Sequence, residues 1–134
     1  MGSTILNPYV QFDGNAREAM EFYHSVLGGD LKVMTFGESG MPGPASDKVM
    51  HAQLTSEAGY TIMASDTPPG MDYEPGRNIS ISISGDDGDL LRRYWEALGE
   101  GATVTMPLEK QMWGDEYGAL VDRYGVNWMV DITS

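Results

Sequence analysis

The chain has 134 residues, enough for one domain with a sizeable core and too few for two ordinary ones. Twenty acidic residues against eight basic give a net charge of −12 and a pI near 4.2, so phosphate backbones repel it and no nucleic-acid partner is expected. The absence of cysteine excludes disulfides, thiolate zinc sites and cysteine nucleophiles.

Hydrophobic residues make up 41% and charged residues 21%, a balance that folds rather than staying disordered. No apolar run approaches the roughly 18 residues of a membrane span, so no membrane partner is expected. The stretch MGSTILNPYV has no basic segment leading into an apolar one; cytoplasm is the expected location.

In chain order, Ile5–Phe12 reads as a strand and Asn15 as the N-cap of a helix, with Glu18 completing a capping box. Ala19, Phe22, Tyr23 and Val26 form the expected apolar stripe, and Gly28-Gly29 ends the helix. Strands follow at Leu31–Phe36, Lys48–Ser56 and Tyr60–Ser65, with a Gly, Pro and Ser loop over 37–47. The segment 67–76, with three prolines and two glycines, suits an extended linker.

Asn78–Ser84 reads NISISIS, isoleucines 79, 81 and 83 alternating with serines, which predicts a strand burying one face on a helix. Asp86 or Asp87 caps a second helix with the stripe Leu91, Tyr94, Trp95 and Leu98, ending at Gly99 and Gly101. Strands at Thr103–Pro107, Tyr117–Val121 and Asn127–Ile132 close the chain, the last two around the turn Asp122-Arg123-Tyr124-Gly125.

This pattern is written twice. Tyr23, Leu27, Gly28 and Val33 fall on Tyr94, Leu98, Gly99 and Val104, and Gly59-Tyr-Thr-Ile-Met63 falls on Gly125-Val-Asn-Trp-Met129. Each half is strand, helix, strand, strand, strand. The expected organisation is one domain over 1–134, with module one at 5–66, a linker at 67–77 and module two at 78–132.

The signatures FDGNAREAMEFY, VLGG, MWGDEYG and GVNWM resemble those of the vicinal oxygen chelate superfamily, which includes glyoxalase I, extradiol dioxygenases, fosfomycin resistance enzymes and bleomycin-binding proteins. The resemblance covers residues 5–132 and is to the PhnB-like branch. It implies an α+β fold in which two βαβββ modules form a curled mixed sheet around a cup, and it implies a homodimer. Metal-using members place His, Gln or Glu ligands on the first and last strands of each module. Carried over, those positions are Pro8, Met63, Asn78 and Met129. Proline has no ligand atom, and thioethers are poor partners for hard divalent ions. One amide cannot hold a catalytic metal that needs three or four ligands, so no metal and no other cofactor is expected.

The same carry-over lines the cup with Thr61, Met63 and Ser65, with Asn78, Ser80 and Ser82, and with Asn127 and Met129. Methionine adapts to irregular ligands and small polar groups fix their orientation. The alternative is a packed, closed interior in which the methionines fill the metal's space. His51, expected to share a strand face with Val49 and Gln53, is a binding or acid–base candidate, against a structural histidine. His24 is expected on the solvent side of its helix. Trp113 either roofs a pocket or packs into the core. Asp131 shares the Met129 face.

The leading expectation is a metal-independent protein that binds a small neutral or cationic organic molecule through Met63, Asn78, Ser80, Met129, Trp113 and His51. The alternative is an enzyme, a lyase, isomerase or dioxygenase-like relative, using His51 or Asp131 as unusual acid–base groups. A structural or interaction protein with a closed cup is the third possibility.

Overall fold

The computed structural model describes residues 6–40, 43, 46–68, 70–76 and 78–133. Outside them lie the expected strand start at Ile5, Met41, Pro42, Pro44 and Ala45 of the loop, and Pro69 and Arg77 of the linker. Ten elements run in order: β1 (Tyr9–Phe12), α1 (Ala16–Leu27), β2 (Asp30–Thr35), β3 (Val49–Thr55), β4 (Thr61–Asp66), β5 (Ile81–Gly85), α2 (Gly88–Leu98), β6 (Thr103–Lys110), β7 (Glu116–Val121) and β8 (Asn127–Ile132). They fall into two compact units that meet between Pro75 and Gly76, inside the expected linker.

Each unit is one βαβββ module. The first has a four-stranded sheet in the order β1-β4-β3-β2, the second in the order β5-β8-β7-β6. In both, the first and last strands run parallel and the remaining pairs antiparallel. Identical strand order and direction give the duplication a structural basis that the short sequence matches only suggested.

In unit one, α1 packs on the sheet and buries Ala16, Ala19, Met20, Tyr23 and Leu27. The stripe is rotated from the expected one. Phe22 and Val26 are half-buried, because the spacing 16, 19/20, 23, 27 follows the axis of contact more closely than 19, 22/23, 26. Opposite it lie Phe12, Ala52, Leu54, Ile62 and Ala64, all buried. At the end of α1, Gly29 has φ +96°, and a Cβ there would sit 2.0 Å from the Thr55 carbonyl oxygen. The glycine therefore permits the close return of the chain beside β3.

Asn15 makes no side-chain cap. The N-terminus of α1 is held instead by Asp66, at the end of β4. Its Oδ1 accepts from the Ala16 N–H at 2.9 Å, and its Oδ2 accepts from the Val49 N–H at 2.9 Å. A carboxylate 2% exposed thus joins helix, β3 and β4, and charge-assisted acceptance from backbone donors makes both bonds strong. A local capping pattern loses here to a residue far along the chain.

In unit two, α2 is capped by its own Asp87, whose side chain accepts from the Leu90 N–H at 3.2 Å. Leu91, Tyr94 and Leu98 are buried as expected, and Trp95 is half-buried. Trp95 lies over Gly118 of β7, where a Cβ would meet its ring at 2.8 Å and the Leu108 backbone at 2.9 Å. The β7–β8 turn is organised by Asp122, 4% exposed. Its carboxylate accepts from the Tyr124 and Val126 N–H groups at 2.8 and 3.0 Å and from Trp128 Nε1 at 2.8 Å.

β5 is shorter than NISISIS suggests. Pairing with β8 begins at Ile81, opposite Trp128, and β8 itself begins at Asn127. Ile83 is buried and Ile81 half-buried, while Ile79 is 78% exposed. Residues 78–80 run beyond the end of their partner strand, so alternation there has no sheet to act on. The Asn127 side chain still holds the Ile79 carbonyl at 3.2 Å.

Candidate functional site

Each sheet covers one face with its helix and turns the other face away. In unit one the outer face carries the cross-strand row Tyr9–Met63–Gln53–Lys32, with Gln11 opposite Ser65 and His51 opposite Met34 beside it. Met63 is central: β1 flanks it in parallel and β3 antiparallel. Thr61, Met63 and Gln53 are half-buried, and Ser65 is buried.

The first-strand metal position needs a one-residue correction. Phe12 is buried on the helix side, so alternation gives the outer face to Tyr9 and Gln11, not to Pro8. Pro8 precedes β1 and accepts from the Met63 N–H at 3.0 Å through its carbonyl. The outer residue next to Met63 is Tyr9.

His51 lies on this face, with Gln53 beside it as expected. Val49 does not share it. A register irregularity between Met34 and Thr35, which pair with His51 and Val49, makes Met50 an extra residue and turns Val49 into the buried side. His51 Nδ1 stands 3.4 Å from the Tyr9 hydroxyl, and the two rings lie 5.8 Å apart. His24, off this face, places Nε2 2.9 Å from the Gly29 carbonyl and is half-buried at the helix end.

In unit two the outer face carries the rows Ser82–Met129–Ala119–Met106 and Ser84–Asp131–Tyr117–Glu109. Met129 occupies in this sheet the place Met63 holds in the other. Asn78 and Ser80 lie before β5 and are exposed, so of the expected wall of Asn78, Ser80 and Ser82 only Ser82 is in the ladder. Trp113 is 61% exposed in the turn after β6 and is not core; its ring is 6.3 Å from that of Tyr117. Asn127 and Met129 are half-buried at the start and middle of β8.

Asp131 is the electrostatic irregularity. Its Oδ1 is buried with no donor among the described residues. Burial first, and then the charge of and hydrogen bond with the Asp115 carboxyl, push its pKa above the usual carboxylate range. Period-two alternation placed Asp131 on the Met129 face. Asp115 sits in a turn, where no periodicity points to it.

Among the described residues no group of three or more His, Asp or Glu side chains is placed to hold a metal ion. At the positions the resemblance assigns to metal ligands, the chain offers thioethers at Met63 and Met129, a phenol or proline at the first strand, and an exposed amide at Asn78. That donor set does not fit a divalent metal.

The sequence pattern of the 3-demethylubiquinone-9 3-methyltransferase family matches residues 4–131. The chain belongs to that family. It is 34% identical to an uncharacterised protein of Mycobacterium tuberculosis, Rv0887c, over 92% of this chain and 71% of that one. It is similar to the crystal structure of protein PA1353 from Pseudomonas aeruginosa, with a TM-score of 0.88 and 42% identity over 98% of both chains. A glyoxylase/bleomycin resistance protein/dioxygenase domain from Frankia sp. EAN1pec matches with a TM-score of 0.67 and 17% identity over the whole of both chains. The likeness to the Frankia domain shows that this chain has the glyoxalase/bleomycin-resistance fold.

Proposed function

We propose that this PhnB-like protein binds a small neutral or cationic organic molecule without a metal ion, on sheet faces turned away from the helices. One observation carries the proposal. The central outer position of each sheet, where metal-using relatives place a ligand, is a half-buried methionine, Met63 in one and Met129 in the other. A thioether gives up metal binding and supplies adaptable, polarizable contact. Hydroxyl and amide groups beside it, Ser82 next to Met129 and Gln53 next to Met63, can orient a ligand. A net charge of −12 disfavours anions. His51 and Trp113 belong to this reading as flanking groups; Asn78 and Ser80 can join it only as exposed rim residues. A homodimer and a cytoplasmic location are part of the same proposal.

The test is a screen of neutral and cationic aromatic compounds against protein carrying ¹³C-labelled methionine methyls. Saturable shifts at Met63 or Met129 are expected. Met63→Glu and Met129→Glu should weaken binding by more than about tenfold, since a half-buried carboxylate adds a desolvation cost to the lost contact. Shifts confined to other methionines, or binding indifferent to both substitutions, would place the ligand elsewhere.

The enzyme alternative draws on Asp131, whose raised pKa and whose Oδ1, without a partner among the described residues, suit a proton-transfer group. It requires turnover that Asp131→Asn abolishes while the labelled methionines still report ligand.

A further inference from the structure

Unit one's outer face contains a single imidazole, and its two nitrogens differ. His51 Nδ1 faces the Tyr9 hydroxyl at 3.4 Å, whereas Nε2 has no partner among the described residues. With the phenol O–H donating, the sp² Nδ1 accepts and the ring proton lies on Nε2, the arrangement adopted below and checked by nitrogen-15 spectra. A second proton on the ring would reverse the Nδ1 contact, with N–H donating to the phenol oxygen, and would leave Nε2 a donor still. With Tyr9 donating to the neutral ring, this face presents an N–H in both the neutral and the protonated state.

What surrounds that donor is apolar or uncharged. Met34 lies opposite His51 on β2, Met63 lies opposite Tyr9, and Gln53 lies opposite Met63. The one charged group of these rows, Lys32 at the β2 edge, is paired with Asp30 at 4.0 Å, so this edge brings no net charge to the face, while the protein's overall charge disfavours an anion. Two thioethers and the Tyr9 ring, 50% exposed, suit a flat group.

We infer that His51 is a specificity-determining donor, that Tyr9 is the positioning residue that fixes which nitrogen donates, and that the ligand of this face is an uncharged planar molecule bearing a carbonyl-type acceptor. The inference rests on the binding reading above and deepens it.

Two measurements test it. Nitrogen-15 spectra of the imidazoles, recorded where the ring is neutral, should show His51 protonated at Nε2, with Tyr9→Phe increasing the Nδ1–H form. Acetophenone and ethylbenzene, alike in shape but differing in the acceptor, are then titrated. Acetophenone should shift the His51 Nε2–H and bind about two- to tenfold tighter, the share of one neutral hydrogen bond. Tyr9→Phe should narrow that ratio while methionine contacts persist. An Nδ1–H tautomer in the wild type overturns the inference. So does equal binding of both probes at Met63 and Met34, which would leave the binding reading standing. If neither probe perturbs any residue of the face, the binding reading fails for this sheet and the inference falls with it.

Discussion

Three aspartates carry charge into the sheets, and they do so with opposite effects. Asp66 is fully occupied by two backbone donors. Asp66→Ala leaves two buried N–H groups without acceptors, each costing about 1–3 kcal/mol; urea denaturation should show a loss of about 2–4 kcal/mol. Asp122 is similar, and Asp122→Ala strands Trp128 Nε1 in the core as well as opening the turn. Asp131 is the contrary case. Its pKa is raised by burial and by Asp115, so the folded state holds a proton that the unfolded state releases. The stability this contributes is present at low pH and is lost as pH rises from the ordinary carboxylate range through the folded-state pKa. Asp131→Asn cannot ionise. It should therefore be more stable than the wild type at neutral pH, with the advantage disappearing as pH falls toward the ordinary carboxylate range. Thermal melts of both proteins across that interval check the sign.

At the scale of elements, most of the architecture was legible because periodicity and stop signals are local. Both helices and the hairpin strands come from such signals. What was not legible depended on partners. β5 starts late because its parallel partner β8 begins only at Asn127, and α1 is capped by Asp66 rather than Asn15 because the end of β4 reaches the helix N-terminus. The bulge beside Met50 that buries Val49 is likewise a property of pairing, invisible to alternation. Gly118 is another such position: in sequence it is a strand glycine, and in the fold it is the floor under Trp95. Gly118→Val should cost about 1–3 kcal/mol through overpacking against the ring and the Leu108 backbone. A shift of the Trp95 environment in fluorescence, measured in a variant whose other tryptophans are replaced by Phe, should accompany it.

For the whole molecule, duplication explains both what the sequence reveals of the site and what it conceals. The two copies keep one topology, and each sets a methionine at the centre of its outer face. That much was visible from the alignment of Gly59–Met63 with Gly125–Met129. The residues around each methionine have diverged: Tyr9, Gln53 and His51 in one sheet, Ser82, Ala119, Tyr117 and Asp131 in the other. Tyr9 is not legible from the sequence because Pro8 aligns with the first-strand position, and the correct parity needs the buried Phe12 as reference. Membership of the family shows the fold these faces belong to, and the chemistry of the faces themselves argues for binding without a metal. The most direct measurement is a calorimetric titration of Ni²⁺, Zn²⁺ and Mn²⁺ into metal-stripped protein free of any histidine tag, with His51→Ala alongside. No stoichiometric binding by the wild type is the result predicted. Stoichiometric binding that His51→Ala abolishes would contradict the account and make a metal-dependent site on this fold the reading to test.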